Sequence, residues 1–200
     1  MNQPNTQAPS LSSSCIMIDF SAGTWTGRKL DRKASEQVEV QNKTHPDMAN
    51  VHKKLLGDCQ ELIAIRKFVG NARNSHYRMT LPWSDMGMRI IPTAKYFDYH
   101  KQMTEYQDEF YIMLDKFLGV YDWAVIEAET KLGDMFNKND YPTVDTLRDK
   151  FNWRLSYTPM PDAGDFRVDI GKEQADAIRE QCAEYYSTMF HQAIQEISSP

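Results

Sequence analysis

The chain has 200 residues, 41% of them hydrophobic and 26% charged, with a formal net charge of −5. That is enough apolar material for one well-formed core, and it excludes a wholly disordered polyelectrolyte. The three cysteines, Cys15, Cys59 and Cys182, are odd in number, far apart and outside any CxxC, which argues against a disulfide framework or zinc site and favours a reducing cytoplasm.

Met1 to Ser14 is polar and rich in Asn, Gln, Pro and Ser. It predicts a disordered tail, since it buries too little apolar surface to offset ordering entropy, and it lacks the cationic start and apolar run of a signal peptide. From Cys15 to Phe20 the pattern alternates, with Ile16, Ile18 and Phe20 on one face, and predicts a strand. Gly23, Thr24 and Gly27 interrupt it around Trp25, and a short polar helix is expected over Asp31 to Gln41. A helix is then expected from Val51 to about Tyr77, with Leu62, Ile65, Val69 and Ala72 as its buried stripe. Leu81 to Gly87 reads as a turn or loop and Met88 to Ile91 as a short strand before Pro92, after which Thr93 is placed to cap the next helix.

Along that helix Tyr96, Tyr99, Met103, Tyr106, Phe110, Met113 and Phe117 alternate spacings of three and four. Such a seam needs a partner surface, in this chain or in a second copy, so a homo-oligomer is one expected outcome. Another helix is expected over Trp123 to Phe136, then a break and cap at Asn139 to Thr143 and a short helix to Lys150. Two alternating strands follow, through Trp153, Leu155 and Tyr157 and through Phe166, Val168 and Ile170, with Pro159, Pro161 and Gly164 between them as in a hairpin. A last helix, Lys172 to about Ile197, carries Ala175, Ile178, Cys182, Tyr185 and Met189 on its apolar seam. The expected fold is α+β, long helices with a small antiparallel sheet, in a single domain over 15–197 with a short tail at 198–200. No window approaches about 18 uninterrupted apolar residues, so no membrane partner is expected.

Charge is distributed unevenly. Asn42 to Lys101 holds ten Lys/Arg against five Asp/Glu, whereas Gln102 to Pro200 holds nine against nineteen. The basic segment also contains Phe68, Tyr77, Trp83, Tyr96, Phe97 and Tyr99. Cations interleaved with flat rings suit an unpaired strand, whose phosphates attract charge and whose bases stack. On the helix before Arg78, Lys67, Asn71, Asn74 and Arg78 lie opposite the buried stripe, with Arg66, Arg73 and Tyr77 on its flank. The expected phosphate contacts are therefore Lys53, Arg66, Lys67, Arg73, Arg78, Arg89, Lys95 and Lys101, and the expected stacking rings are Tyr77, Trp83 and Phe97.

Catalytic signatures are missing: there is no GxxxxGKS/T phosphate loop, no GxGxxG, no HExxH and no GxSxG. The five histidines, His45, His52, His76, His100 and His191, are widely spaced, with no carboxylate pattern that predicts a metal site. A non-enzymatic protein without a cofactor is expected.

Leu81-Pro82-Trp83, Gly87-Met88-Arg89-Ile90-Ile91-Pro92, Lys131-Leu132-Gly133-Asp134-Met135-Phe136 and Asp140-Tyr141-Pro142 form a set of short motifs. With Phe151, Trp153, Pro159, Pro161-Asp162-Ala163 and Asp165-Phe166-Arg167-Val168, the set resembles a phage and bacterial family of unknown function. Trp25-Thr26-Gly27-Arg28 fits the start of that family, so the resemblance covers about Ile16 to Ala183. The chain is also similar to the early single-stranded-DNA-binding RNA polymerase cofactors of short-tailed phages that carry a giant virion RNA polymerase. That resemblance implies a fold other than the oligonucleotide-binding barrel, residence in the host cytoplasm, and recruitment of the phage RNA polymerase to melted promoters. It carries over no DNA-contacting residue. The rival from another class is an interaction adaptor, for example an accessory to a ring ATPase, whose basic face meets a protein.

Overall fold

The computed structural model describes residues 14–83 and 87–160, together with helical positions 176–178, 180–185, 187–188 and 191. The fold is α+β. In chain order the described elements are β1 Cys15–Gly23, β2 Arg28–Leu30, α1 Arg32–Asn42, β3 His52–Lys54, α2 Gln60–Met79, β4 Leu81–Pro82, β5 Arg89–Pro92, α3 Tyr96–Leu132, α4 Val144–Arg148 and β6 Asn152–Pro159. The strands form a four-stranded sheet, in the order β4-β5-β1-β6, and a two-stranded sheet of β2 and β3. The expected single domain divides into two compact units, one drawing on Met1–Ser21, Ala72–Tyr106 and Trp153–Pro200, the other on Ala22–Asn71 and Gln107–Asn152. Both α2 and α3 supply residues to each.

The first unit is built on the larger sheet. β1 runs antiparallel to β5, with Cys15 opposite Pro92 and Ile18 opposite Arg89. β-Branched residues favour this pleated pairing, and Pro92, which has no amide hydrogen to donate, stands at the end of β5. Cys15, Met17, Trp83, Ile90 and Met160 pack as one buried cluster, edged by Leu81 and Met88. The Trp83 amide donates to the Met88 carbonyl (2.9 Å), closing the connection between β4 and β5. Phe20 lies against both His76 (5.3 Å between ring centres) and Trp153 (4.8 Å).

In the second unit Asp31 caps α1 by accepting from the Ala34 amide (3.0 Å), as short acidic side chains do at orphan amides. Thr143 caps α4 in the same way, through the Thr146 amide. Leu62, Ile65 and Val69 bury the predicted stripe of α2, which continues to Ala72 in the first unit. On α3, Phe117 meets Phe151 at 5.7 Å and Tyr121 at 6.0 Å, and Tyr121 meets Trp25 at 6.1 Å.

Several expectations are corrected. Residues 52–54 are a strand rather than the start of the long helix, which begins only at Gln60. The helices expected before and after Gly119 are one 37-residue helix; a glycine costs about 1 kcal/mol against alanine in a helix, too little to break one held by packing on both sides. Thr93 makes no capping bond: Thr93–Lys95 is a 3-10 turn, and the Thr93 hydroxyl donates to the Ser14 carbonyl (3.3 Å) instead. Of the seven seam residues, Tyr99, Met103, Phe110 and Phe117 are fully buried within one chain, while Tyr96, Tyr106 and Met113 are half-buried. The strand expected at 166–170, and the tail before Ser14, lie outside the described residues. Of the last helix's seam, Ile178 and Cys182 are half-buried and Tyr185 is exposed.

Candidate nucleic-acid interface

At its N-terminal end α3 turns a group of rings outward. Positions four apart share a helix face, so Tyr96 lies beside His100, and Phe97 beside Lys101. The Tyr96 and His100 rings stack at 5.5 Å with 13° between their planes. Tyr157 of β6 stands edge-on to Tyr96 at 5.1 Å, and its hydroxyl shares a hydrogen bond with His100 Nδ1 (3.0 Å). Phe97 makes an edge contact with Tyr96 (5.3 Å) and is 78% exposed. Lys95 and Lys101 are exposed beside it. Burial, together with the neighbouring Tyr96, pushes the Tyr157 phenol up to about 12, so it remains a neutral hydroxyl at physiological pH. Asp98 in the same turn balances one lysine, which leaves rings rather than charge as the main feature of this surface.

A buried, hydrogen-bonded layer supports these rings. His76 Nδ1 and the Tyr99 hydroxyl share a 2.7 Å hydrogen bond, and Tyr99 stands edge-on to Tyr157 at 6.5 Å. Burial lowers His76 to about 4, with the positive charge of Arg89 acting in the same direction and Asp19 opposing. Its imidazole is therefore neutral at pH 7, whereas in the unfolded chain it titrates near the ordinary imidazole value of 6.5. Between those values the unfolded state binds a proton that the folded state excludes. The contribution of His76 to stability should be flat above about pH 6.5 and fall on acidification towards pH 4, by on the order of 3 kcal/mol in all. Urea midpoints measured from pH 7.5 to 4 check this; a slope that persists unchanged in His76→Gln would show that another group carries it.

The other expected contacts divide into exposed side chains and structural ones. Tyr77 is 54% exposed and lies under the Arg89 guanidinium, 5.0 Å from the ring centre. Arg89 itself is corrected from a free phosphate contact to a cap on α2. Its Nε donates to Thr80 Oγ1 (2.6 Å), and Nη2 donates to the Thr80 carbonyl (2.7 Å) and the Tyr77 carbonyl (3.3 Å). Arg73 and Arg78 are exposed in the same unit, and Arg66 and Lys67 are exposed in the other. Trp83 is corrected outright: at 5% exposure it belongs to the core beneath β1 and β5, where no base can reach its face. Lys53 is corrected as well. Its ammonium is buried, donating to the Met135 carbonyl (2.6 Å) and pairing with Asp140 (2.8 Å) and Asp31 (3.7 Å).

The structure thus brings Phe97, Lys95 and Lys101 together, and Tyr77 with Arg89, while it withdraws Lys53 and Trp83 into cores. Tyr96, His100 and Tyr157 were missed as site residues. The spacing puts Tyr96 on the core seam and Tyr157 on a strand face. The four-residue offset of Tyr96 and His100, matched by Phe97 and Lys101, was the signal that marked an outward aromatic face at the start of the helix.

Among the described residues no group of three His, Cys, Asp or Glu side chains is placed to hold a metal ion, and no helix is long and apolar enough to cross a membrane. Compared with protein families, curated proteins and solved structures, the chain matches none of them.

Proposed function

We propose that this protein binds single-stranded DNA and, as its resemblance to the phage cofactors implies, acts with a phage RNA polymerase at melted promoters in the host cytoplasm. The observation that carries the reading is Phe97, a large ring 78% exposed, set on a partly buried aromatic layer with a lysine on either side in sequence. Exposed rings are poorly accommodated by water but stack on the π-face of any unpaired base. In a duplex those faces are already stacked, so preference for single strands with little sequence dependence follows. Tyr77, with its stacked guanidinium, and the exposed Arg73 and Arg78 offer further contacts in the same unit.

The test is binding of a labelled oligonucleotide, single- against double-stranded, across a salt series. Stacking is worth about 1–3 kcal/mol per base, so Phe97→Ala should weaken single-strand binding about 5- to 150-fold. Lys95→Gln with Lys101→Gln should reduce the slope of log K against log salt by about 1–1.4, since each neutralised phosphate of a single strand contributes about 0.7. Equal affinity for duplex and single strand, or full affinity in Phe97→Ala, would defeat the reading. Capture of a protein partner by the same face in the absence of DNA binding would favour the adaptor.

A further inference from the structure

A separate cationic cleft lies wholly within the second unit, made by β2, β3 and α2. The ladder of β2 and β3 sets Arg28 opposite Lys54 and Lys29 opposite Lys53. Like charges directly opposite each other on a ladder repel. The buried member of the second pair, Lys53, has its charge answered by Asp31 and Asp140. The first pair is treated differently: among the described residues neither Arg28 nor Lys54 forms an ion pair with a carboxylate. A third cation joins them instead. Arg28, Lys54 and Arg66 line one cleft of about 230 Å³, and no carboxylate is among its lining residues.

The walls of this cleft suit an anion. Arg66 is held there by a hydrogen bond from its guanidinium to the Thr26 carbonyl (3.4 Å). Gly27, at φ +60°, takes a left-handed conformation that favours glycine, and its carbonyl accepts from the Leu55 amide (2.8 Å). A side chain at Gly27 would press on Leu62, 3.1 Å from the added carbon. Lys54, Leu56 and Gly57 also line a neighbouring cleft of about 240 Å³, walled largely by Leu55, Ala124, Ala128 and Leu132. On the rim of that second cleft the Lys131 charge is answered by Asp58 (2.6 Å) and Glu127 (3.0 Å). One cleft is therefore lined by three cations and no carboxylate, and the adjoining one, beyond the shared Lys54, is largely apolar with the charges of Lys131, Asp58 and Glu127 paired.

We propose that the Arg28–Lys54–Arg66 cleft is a phosphate subsite for a nucleotide whose base or sugar occupies the adjoining apolar cleft. The three cations, which pair with no carboxylate among the described residues, are stabilised when a phosphate group sits between them, and charge-assisted bonds to such a group are the strong ones. Trp25-Thr26-Gly27-Arg28, singled out in the sequence, acquires a role here. The site goes beyond the strand-binding reading, because a free mononucleotide satisfies it as well as a phosphate within a strand.

Full-length protein labelled with nitrogen-15 is titrated at low salt with thymidine 5′-monophosphate, thymidine, inorganic phosphate and an oligothymidylate. The monophosphate should give saturable shifts of the Gly27, Arg28 and Gly57 amides, and should bind more tightly than thymidine or inorganic phosphate alone. Lys54→Gln and Arg66→Gln, both at exposed positions, should each weaken it at least tenfold while the remaining spectrum shows the fold retained. No saturable shift, unchanged binding in both variants, or equal binding of thymidine and its monophosphate would overturn the phosphate subsite. Equal binding of inorganic phosphate and the monophosphate would overturn the apolar half of the proposal. The same amides shifting with the oligothymidylate assign the phosphate to a strand, and shifts with the monophosphate alone assign it to a free nucleotide; either supports the site. Oligonucleotide binding that depends on Phe97 while the monophosphate fails would sink the cleft and leave the strand-binding reading standing. Monophosphate binding without any oligonucleotide binding would do the reverse.

Discussion

Lys53→Met is expected to destabilise the protein by about 3–5 kcal/mol, the cost of removing one partner from a buried ion pair. The ammonium serves three groups at once, the Met135 carbonyl at 2.6 Å, Asp140 at 2.8 Å and Asp31 at 3.7 Å. Its side chain is 7% exposed and the two carboxylates 13% each. Methionine keeps the volume of the stem but leaves two carboxylates facing each other with little water to screen them. Asp31 also caps α1 and, through its amide, donates to the Val51 carbonyl (2.9 Å), so repulsion there reaches the start of that helix. Chemical denaturation measures the loss. Adding Asp31→Asn and Asp140→Asn should recover part of it, since the unpaired charges are then gone. A loss below about 1 kcal/mol would mean that the ammonium is solvated rather than engaged, and would restore Lys53 as a candidate phosphate contact.

Phe117→Ala should cost about 3–5 kcal/mol, as large-to-small changes at packed positions do. Phe117 is fully buried, with Phe151 and Tyr121 around it at 5.7 and 6.0 Å between ring centres. The Tyr121 hydroxyl donates to the Pro142 carbonyl (2.8 Å), which ties that ring in place and limits how far the cavity can collapse. Because the side chain is buried within a single chain, particle mass in light scattering should stay the same while the denaturation midpoint falls. A fall in particle mass at unchanged stability would show instead that Phe117 joins two copies.

Local pattern settled a good part of this protein. The stripe of Leu62, Ile65, Val69 and Ala72 is legible because a helix repeats every 3.6 residues, and all four are buried as that period requires. The strands through Ile16 to Ile18 and through Trp153 to Tyr157, the cap at Thr143 and the α+β class follow from equally local rules of alternation and amide satisfaction. The exposure of Phe97 was likewise legible, since it stands one position off the seam that runs through Tyr96, Tyr99 and Met103.

Tertiary structure decided the rest, because partners distant in sequence override local preference. Residues 52–54 continue a helical pattern on paper but form a strand because Arg28–Leu30 pairs with them. Lys53 looks like any other lysine of a basic segment until Asp31 and Asp140, 22 residues before it and 87 after, arrive at its ammonium. Trp83 reads as a loop ring until Cys15, Met17 and Met160 close over it. The aromatic surface has the same origin: Tyr96 and His100 are neighbours along the helix, but only the return of β6 sets Tyr157 beside them. Composition fixed which residues were available as rings and cations. Long-range burial fixed which of them water, and any ligand, can still reach.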